Sequence, residues 1–275
     1  LTKVTKSNNV KKLFFIAPLL DTNRCSPYFL AARRKIFFLL DLLNDQGLQI
    51  VYINSGPAMT TSKDITYSRL VLNNSEIPSV TPSTISRPKL GRLLNLLEAK
   101  KILDNACLRH GHPDLLWCYN GYAFEMRLAK YAFEKYKIKS ILEFEDWHFA
   151  RSNFLNPKAL LDFFFWRRAA SKLGFSFVVN EFLKRKMARY EIPSDILPGV
   201  IANEISNVSL NEKPFQSFEN EVIRCGYFGG LSHEKGAGFL LRLINESVYR
   251  RLPIEWVITG SGELSDEFRA TASSN

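Results

Sequence analysis

Cysteine and histidine are scarce, with four of each in 275 residues. Cys25, Cys107, Cys118 and Cys225 lie far apart without a Cys-x-x-Cys pair, which excludes a zinc ribbon and a dense disulfide framework and fits a reducing cytoplasm. His110 and His112 flank Gly111 with no third ligand nearby, so neither a metal nor a cofactor is expected. Long apolar runs are also missing. The longest, residues 13–20 and 36–40, fall short of the roughly 18 residues a membrane helix needs. Lys3, Lys6, Lys11 and Lys12 precede a short run that reads as a strand, so no signal peptide is expected, although the chain opens on Leu1 rather than Met. Neither a P-loop nor an internal repeat occurs.

Acidic residues are too few to balance the basic ones: 37 Lys and Arg stand against 27 Asp and Glu, a net charge of +10. The imbalance belongs to residues 1–200, with 30 basic against 17 acidic, whereas residues 201–275 carry 7 against 10. A surface of this kind attracts polyanions such as nucleic acid, anionic lipid or phosphorylated substrates. With 46% hydrophobic and 23% charged residues, the composition is that of a globular chain. The polar stretch near residue 200 divides it into a domain over 1–202, a linker over 203–220 and a second domain over 221–275.

Short apolar runs alternate with longer amphipathic segments, the pattern of βα units around a parallel sheet. Strands are expected at "KKLFFIAP", "LQIVYIN", "DLLWCYN", "IKSILEFED", "GFSFVVN", "EVIRCGYFGG" and "IEWVITGSG", with helices between them. Residues 56–88, rich in Ser, Thr and Pro, read as a loop. In an open parallel sheet ligands gather at the carboxyl ends of strands. Glu143, Glu145, Asp146 and His148 crowd one such end, where carboxylates and an imidazole could hold hydroxyls or trade protons. The plainer alternatives are that Asp146 caps the next helix and that Glu143 is an ordinary strand residue. "YFGGLSHEKG" brings Gly229, Gly230, Lys235 and Gly236 to a helix start, a candidate phosphate cradle, unless its glycines serve only a turn. Gly260 and Gly262 follow the next strand, which should lie beside the previous one and bring both glycine loops to one edge. "LLDFFFWRRAASKLG" is either a membrane-interface segment or a packed helix with Arg167 and Arg168 in solvent.

"YFGGLSHEKG" followed by "WVITGSGEL" resembles the donor half of group 1 retaining glycosyltransferases of the GT-B fold, whose strand ends in Gly-Arg-Leu with Glu-Lys-Gly beyond it. "HPDLLWCYNGYAFEMRLAKYAFEKYKIKSILEFED" is similar to the strand, helix and strand of that family's acceptor domain, and "FVVNEFLKRKMARYEIPSDILPGV" to its exit toward the linker. The resemblance runs from about Lys11 and is strongest over 112–264. It implies an α/β fold with a Rossmann-like N-terminal acceptor domain and the first part of a second Rossmann-like domain for a nucleotide sugar. Lys235, with Gly229, Gly230 and Gly236, would then hold the donor diphosphate, a metal-free electrostatic catalysis, and Gly260 and Gly262 would bind the nucleotide. Glu145, Asp146 and His148 would lie near the transferred sugar, with Asn120 on the acceptor side.

Two departures stand out. Gly230 replaces the family's arginine, so His233 or another basic residue is expected to compensate. The family's glutamate pair should come after "SGEL", and the sequence given ends at Asn275 before it, which implies a C-terminally shortened enzyme, inactive alone. The expected function is transfer of a sugar from a nucleotide donor to a polysaccharide or lipid-linked acceptor with retention, in the cytoplasm, with an anionic membrane surface as a further partner. An alternative is a non-catalytic basic Rossmann-like protein that binds nucleic acid or a phosphorylated ligand. No RNP-type aromatic signature accompanies the basic excess, so nucleic acid is not expected. A third reading takes Gly230 as the mark of a relative that has lost catalysis.

Overall fold

The computed structural model describes residues 11–18, 30–56, 64–72, 75–82, 88–147, 157–199 and 222–273. It divides into two compact units, Leu1–Asn207 and Val208–Asn275. In the first unit the elements run β1 (Lys12–Ala17), α1 (Leu30–Asp45), β2 (Gln49–Asn54), β3 (Thr66–Val71), β4 (Glu76–Thr81), α2 (Pro88–His110), β5 (Leu115–Tyr119), α3 (Ala123–Tyr136), β6 (Lys139–Phe144), α4 (Pro157–Ala169), β7 (Leu173–Val178), α5 (Glu181–Ala188) and β8 (Ser194–Ile196). They form one eight-stranded sheet ordered β3-β4-β2-β1-β5-β6-β7-β8, in which only β3 runs antiparallel to its neighbour.

β1 and β2 are apolar on both faces because helices cover both, so alternate residues serve two cores. Phe14, Ile16, Leu116, Cys118, Leu142 and Phe144 point to the side packed with α2, α3 and α4. Leu13, Phe15, Tyr52, Trp117 and Tyr119 point to the other side, where Ile36, Leu39 and Leu40 of α1 cover them. Between the helices, α4 caps α3: the Ala123 N–H donates to Asp162 Oδ1 at 2.8 Å, and Lys158 Nζ lies 2.7 Å from Asp162 Oδ2.

The expected loop over 56–88 contains the hairpin of β3 and β4, which adds an edge to the sheet. Pro78 inside β4 and the polar makeup of β3 conceal it, since proline is rare in strands paired on both sides. β8 is three residues long, too short to show periodicity.

In the second unit β9 (Ile223–Phe228) and β10 (Ile254–Thr259) pair in parallel, followed by α6 (Ala237–Tyr249) and α7 (Ser265–Ser273) respectively. The core of this unit holds Leu231, Ala237, Ile244, Leu264 and Phe268 among the described residues. No described helix is long and apolar enough to cross a membrane.

Candidate functional site

Order reverses between β1 and β5, since the chain leaves β1 to β2 on one side and returns to β5 on the other. Beside this switch point the carboxyl ends of β5 and β6 carry a polar group built around Lys35. α1 covers the sheet through Ile36, Leu39 and Leu40, and Lys35 sits one residue before Ile36. Because a helical side chain leans toward its own N-terminus, the Lys35 ammonium is carried toward the strand ends. There it is only 6% exposed, 2.6 Å from Glu143 Oε1 and 2.8 Å from Glu145 Oε1. Trp117 Nε1 donates to Glu143 Oε2 at 3.2 Å, and the Tyr119 hydroxyl donates to Glu145 Oε2. Asn120, in the left-handed region at φ 63°, accepts the Glu145 N–H on Oδ1 at 3.0 Å and donates its own N–H to the Glu143 carbonyl at 2.7 Å. A one-residue left-handed step suits asparagine better than most side chains.

The charges balance incompletely, with one ammonium against two carboxylates. Burial lowers the Lys35 pKa, but Glu143 and then Glu145 outweigh it and hold the group above its ordinary value. Burial raises Glu143 against the pull of Lys35 and Trp117. Burial, followed by the Glu145 charge, raises Tyr119 strongly, so it remains a phenol and a hydrogen-bond donor. Glu143 is 1% exposed and structural, whereas Glu145 is 25% exposed and is the carboxylate that a ligand can reach. Held by Lys35 and Tyr119, Glu145 is pre-oriented to accept hydrogen bonds from hydroxyls.

Of the residues expected here, Glu143, Glu145 and Asn120 come together. Asp146 is exposed beside them, and the next described helix starts only at Pro157, so Asp146 does not cap α4. His148 lies outside the described residues. Lys35, Trp117 and Tyr119 are not legible as site residues, because Lys35 ends a basic Arg-Arg-Lys run that reads as solvated helix surface, and Trp117 and Tyr119 stand in an apolar strand whose pattern explains them as core. No group of three or more His, Cys, Asp or Glu among the described residues could hold a metal ion.

A separate buried acid lies at the same end of the sheet on the α3 side. Glu125, in the first turn of α3, is 1% exposed, and burial pushes its pKa from 4.5 to about 7 against the opposing effect of the Ser55 hydroxyl. Below 4.5 both folded and unfolded chains keep the proton; between there and about 7 only the folded chain keeps it. Stability therefore falls as pH rises through this window. Glu125→Gln is expected to make that fall shallower, measured as urea midpoints at about pH 5 and about pH 8. An unchanged slope would place the titration elsewhere.

In the second unit the two glycine loops meet at the carboxyl ends of β9 and β10. The Gly229 N–H donates to the Thr259 carbonyl, Leu231 to Ser261 and Leu264 to Leu231, each at 3.0 Å. A Cβ on Gly260, at φ +154°, would stand 1.8 Å from the Gly229 carbonyl oxygen, and one on Gly262 would stand 2.3 Å from that of Leu231. These glycines are therefore required for the loops to touch, whatever else they do. A Cβ on Gly230 would meet only Lys235 Cγ at 3.6 Å, so space does not forbid a side chain there. Lys235 is exposed in a short 3₁₀ turn, His233–Lys235, and Gly236 at φ +78° leads from it into α6. The His233 N–H at this start donates to Glu263 Oε1 at 2.8 Å, so an anion approaching it competes with Glu263.

No family model matches the chain, and no curated protein sequence matches it. Solved structures do. TarM aligns with a TM-score of 0.54 at 11% identity over 96% of this chain and 74% of its own. The α,α-trehalose 6-phosphate synthase from Burkholderia multivorans aligns at 0.54 with 9% identity, and the UDP-forming α,α-trehalose-phosphate synthase from Burkholderia vietnamiensis at 0.53 with 11%; each alignment covers 96% of this chain and 68% of the other. At such identities the likeness concerns the fold alone, a mixed α/β architecture with a parallel-dominated sheet.

Proposed function

We propose that the protein belongs to a glycosyltransferase that moves a sugar from a nucleotide donor to a polysaccharide or lipid-linked saccharide in the cytoplasm, with retention of configuration. The observation that carries this reading is the second unit's edge, where two glycine loops are pinned together beside an exposed lysine at the start of a 13-residue helix. Such an edge offers a helix N-terminus and a cation to a diphosphate, and glycines allow the ligand to come close to the backbone. The fold match supports the reading, and one neighbour is named for forming UDP.

In this reading Lys235 neutralises the diphosphate as it leaves, with no metal needed, and the backbone around Gly229, Gly230 and Gly236 accommodates it. Gly260 and Gly262 shape the nucleotide side. Glu145, braced by Lys35 and Tyr119, accepts a hydroxyl of the transferred sugar, and exposed Asp146 stands next to it for the same purpose. Asn120 acts on the acceptor side by fixing Glu145. His233, on the same turn as Lys235, supplies a second basic group where the resembled family has arginine.

Calorimetry of the full chain with a panel of nucleoside diphosphates tests the proposal. One nucleotide should bind, and Lys235→Ala should weaken it by about 1.5 to 3 kcal/mol, the range for a hydrogen bond to a charged group. Absence of binding by every nucleotide, or equal affinity in Lys235→Ala, would sink the donor-site assignment.

A further inference from the structure

Just past their carboxyl ends β5, β6 and β7 each carry an aromatic ring. In the sheet register Tyr119 lies opposite Glu143 and Phe144 opposite Val178. Tyr122 stands three residues past Tyr119, Trp147 three past Phe144 and Phe182 four past Val178, so three neighbouring strands deliver their rings to one edge. Parallel strands lie about 4.8 Å apart, and the row therefore extends about 10 Å along the sheet. Its floor is packed. Trp166, fully buried, has its ring centroid 6.2 Å from that of Trp147 and 5.3 Å from that of Phe144, and a Cβ on Gly121, beside Tyr122, would stand 3.1 Å from Trp166 Cε3. Every ring of the row also has an ammonium over it. Lys158 Nζ is 4.6 Å from the Tyr122 centroid, and Lys186 Nζ is 5.1 Å from that of Trp147 and 5.3 Å from that of Phe182.

None of the three rings is fully covered: Tyr122 and Trp147 are partly buried and Phe182 is half-exposed. Apolar ring surface alternating with charged donors suits a ligand that is itself amphipathic, and a pyranose ring has C–H faces to lie on the aromatics and a rim of hydroxyls for polar groups. An ammonium braced by a ring keeps N–H donors for an anion, so Lys158 and Lys186 favour acidic substituents on that ligand. Asp146 and Glu145 adjoin Trp147 in the chain; they accept hydroxyls and oppose a ligand with a phosphate on every residue, as in nucleic acid. The 30 basic against 17 acidic residues over 1–200 attract an acidic ligand to this unit. We infer that the row of Tyr122, Trp147 and Phe182 binds an oligosaccharide bearing carboxylate or phosphate groups. Its service as an acceptor subsite rests on the transferase reading, whereas the binding itself does not.

Calorimetry of the full chain with maltohexaose, phosphorylated maltohexaose and hexagalacturonate tests the inference. An acidic glycan should bind, and the neutral one at least about tenfold more weakly, as expected when a charge-assisted hydrogen bond is lost. Whichever acidic probe binds more tightly tells phosphate from carboxylate. Phe182→Ala with Lys186→Gln should lower that affinity about tenfold, because the ring and the ammonium it braces are removed together. Thermal unfolding shows whether this pair is folded, and if it is not, Lys186→Gln decides alone. Nucleoside diphosphates are titrated into the same proteins and should bind the variants as they bind the wild type. A wild type that binds a glycan but no nucleotide loses the donor site and keeps the row. Absence of binding by all three glycans, equal affinity for neutral and acidic ones, or acidic binding untouched by the variants overturns the inference. Displacement of the acidic glycan by a single-stranded oligonucleotide at equal charge concentration also overturns it, in favour of nucleic acid.

Discussion

Replacing Lys35 with methionine is expected to destabilise the first unit by about 3 to 5 kcal/mol, the range for removing one partner of a buried ion pair. Methionine has similar length, so the packing of α1 on the sheet changes little, and the loss comes from Glu143 and Glu145 being left together without a cation. Glu143 is 1% exposed and cannot recover hydration. Urea unfolding followed by circular dichroism measures the effect, and the double variant with Glu143→Gln should recover part of it because the stranded charge is gone. The deficit should also shrink on acidification. Glu143 already has a raised pKa in the folded chain, and without Lys35 it rises further, so a lower pH protonates it and removes the repulsion. A loss below about 1 kcal/mol would mean that water reaches the pair and that the group is an ordinary surface bridge.

Gly260→Ala should have an effect of similar size in the second unit, about 3 kcal/mol or more. Its φ of +154° belongs to glycine, and the added Cβ would overlap the Gly229 carbonyl oxygen at 1.8 Å, so β9 and β10 could not keep their loops in contact. Five buried apolar side chains form the core among the described residues, too few to absorb the strain. Hydrogen exchange read by mass spectrometry should show the amides of Ile223–Phe228 and Ile254–Thr259 losing protection while those of β1 and β5 keep theirs. Gly230→Ala, where the new Cβ would meet Lys235 at an ordinary 3.6 Å, provides the contrast and should be nearly neutral. Unchanged exchange in Gly260→Ala would show that the loops have room to separate, and that this glycine is kept for another purpose.

The sequence by itself determined the strand and helix alternation, because runs such as "KLFFIA" and "QIVYIN" are apolar enough to be buried on two faces and only a covered parallel sheet does that. It also pointed to both glycine loops, since glycine after a strand is a local signal, and to Glu145, since a carboxylate just past an apolar run is conspicuous. The hairpin of β3 and β4 escaped it, because Pro78 and a polar edge strand do not differ from loop composition. Only the tertiary structure decided which charges meet. Lys35 and Glu145 are 110 residues apart in sequence, and Tyr119 reads as one more apolar strand residue until the register of β5 against β6 sets it beside that carboxylate. The reason is physical: periodicity records which side of an element is buried, whereas pairing of polar groups inside that burial depends on sheet order and helix placement, which no local pattern encodes.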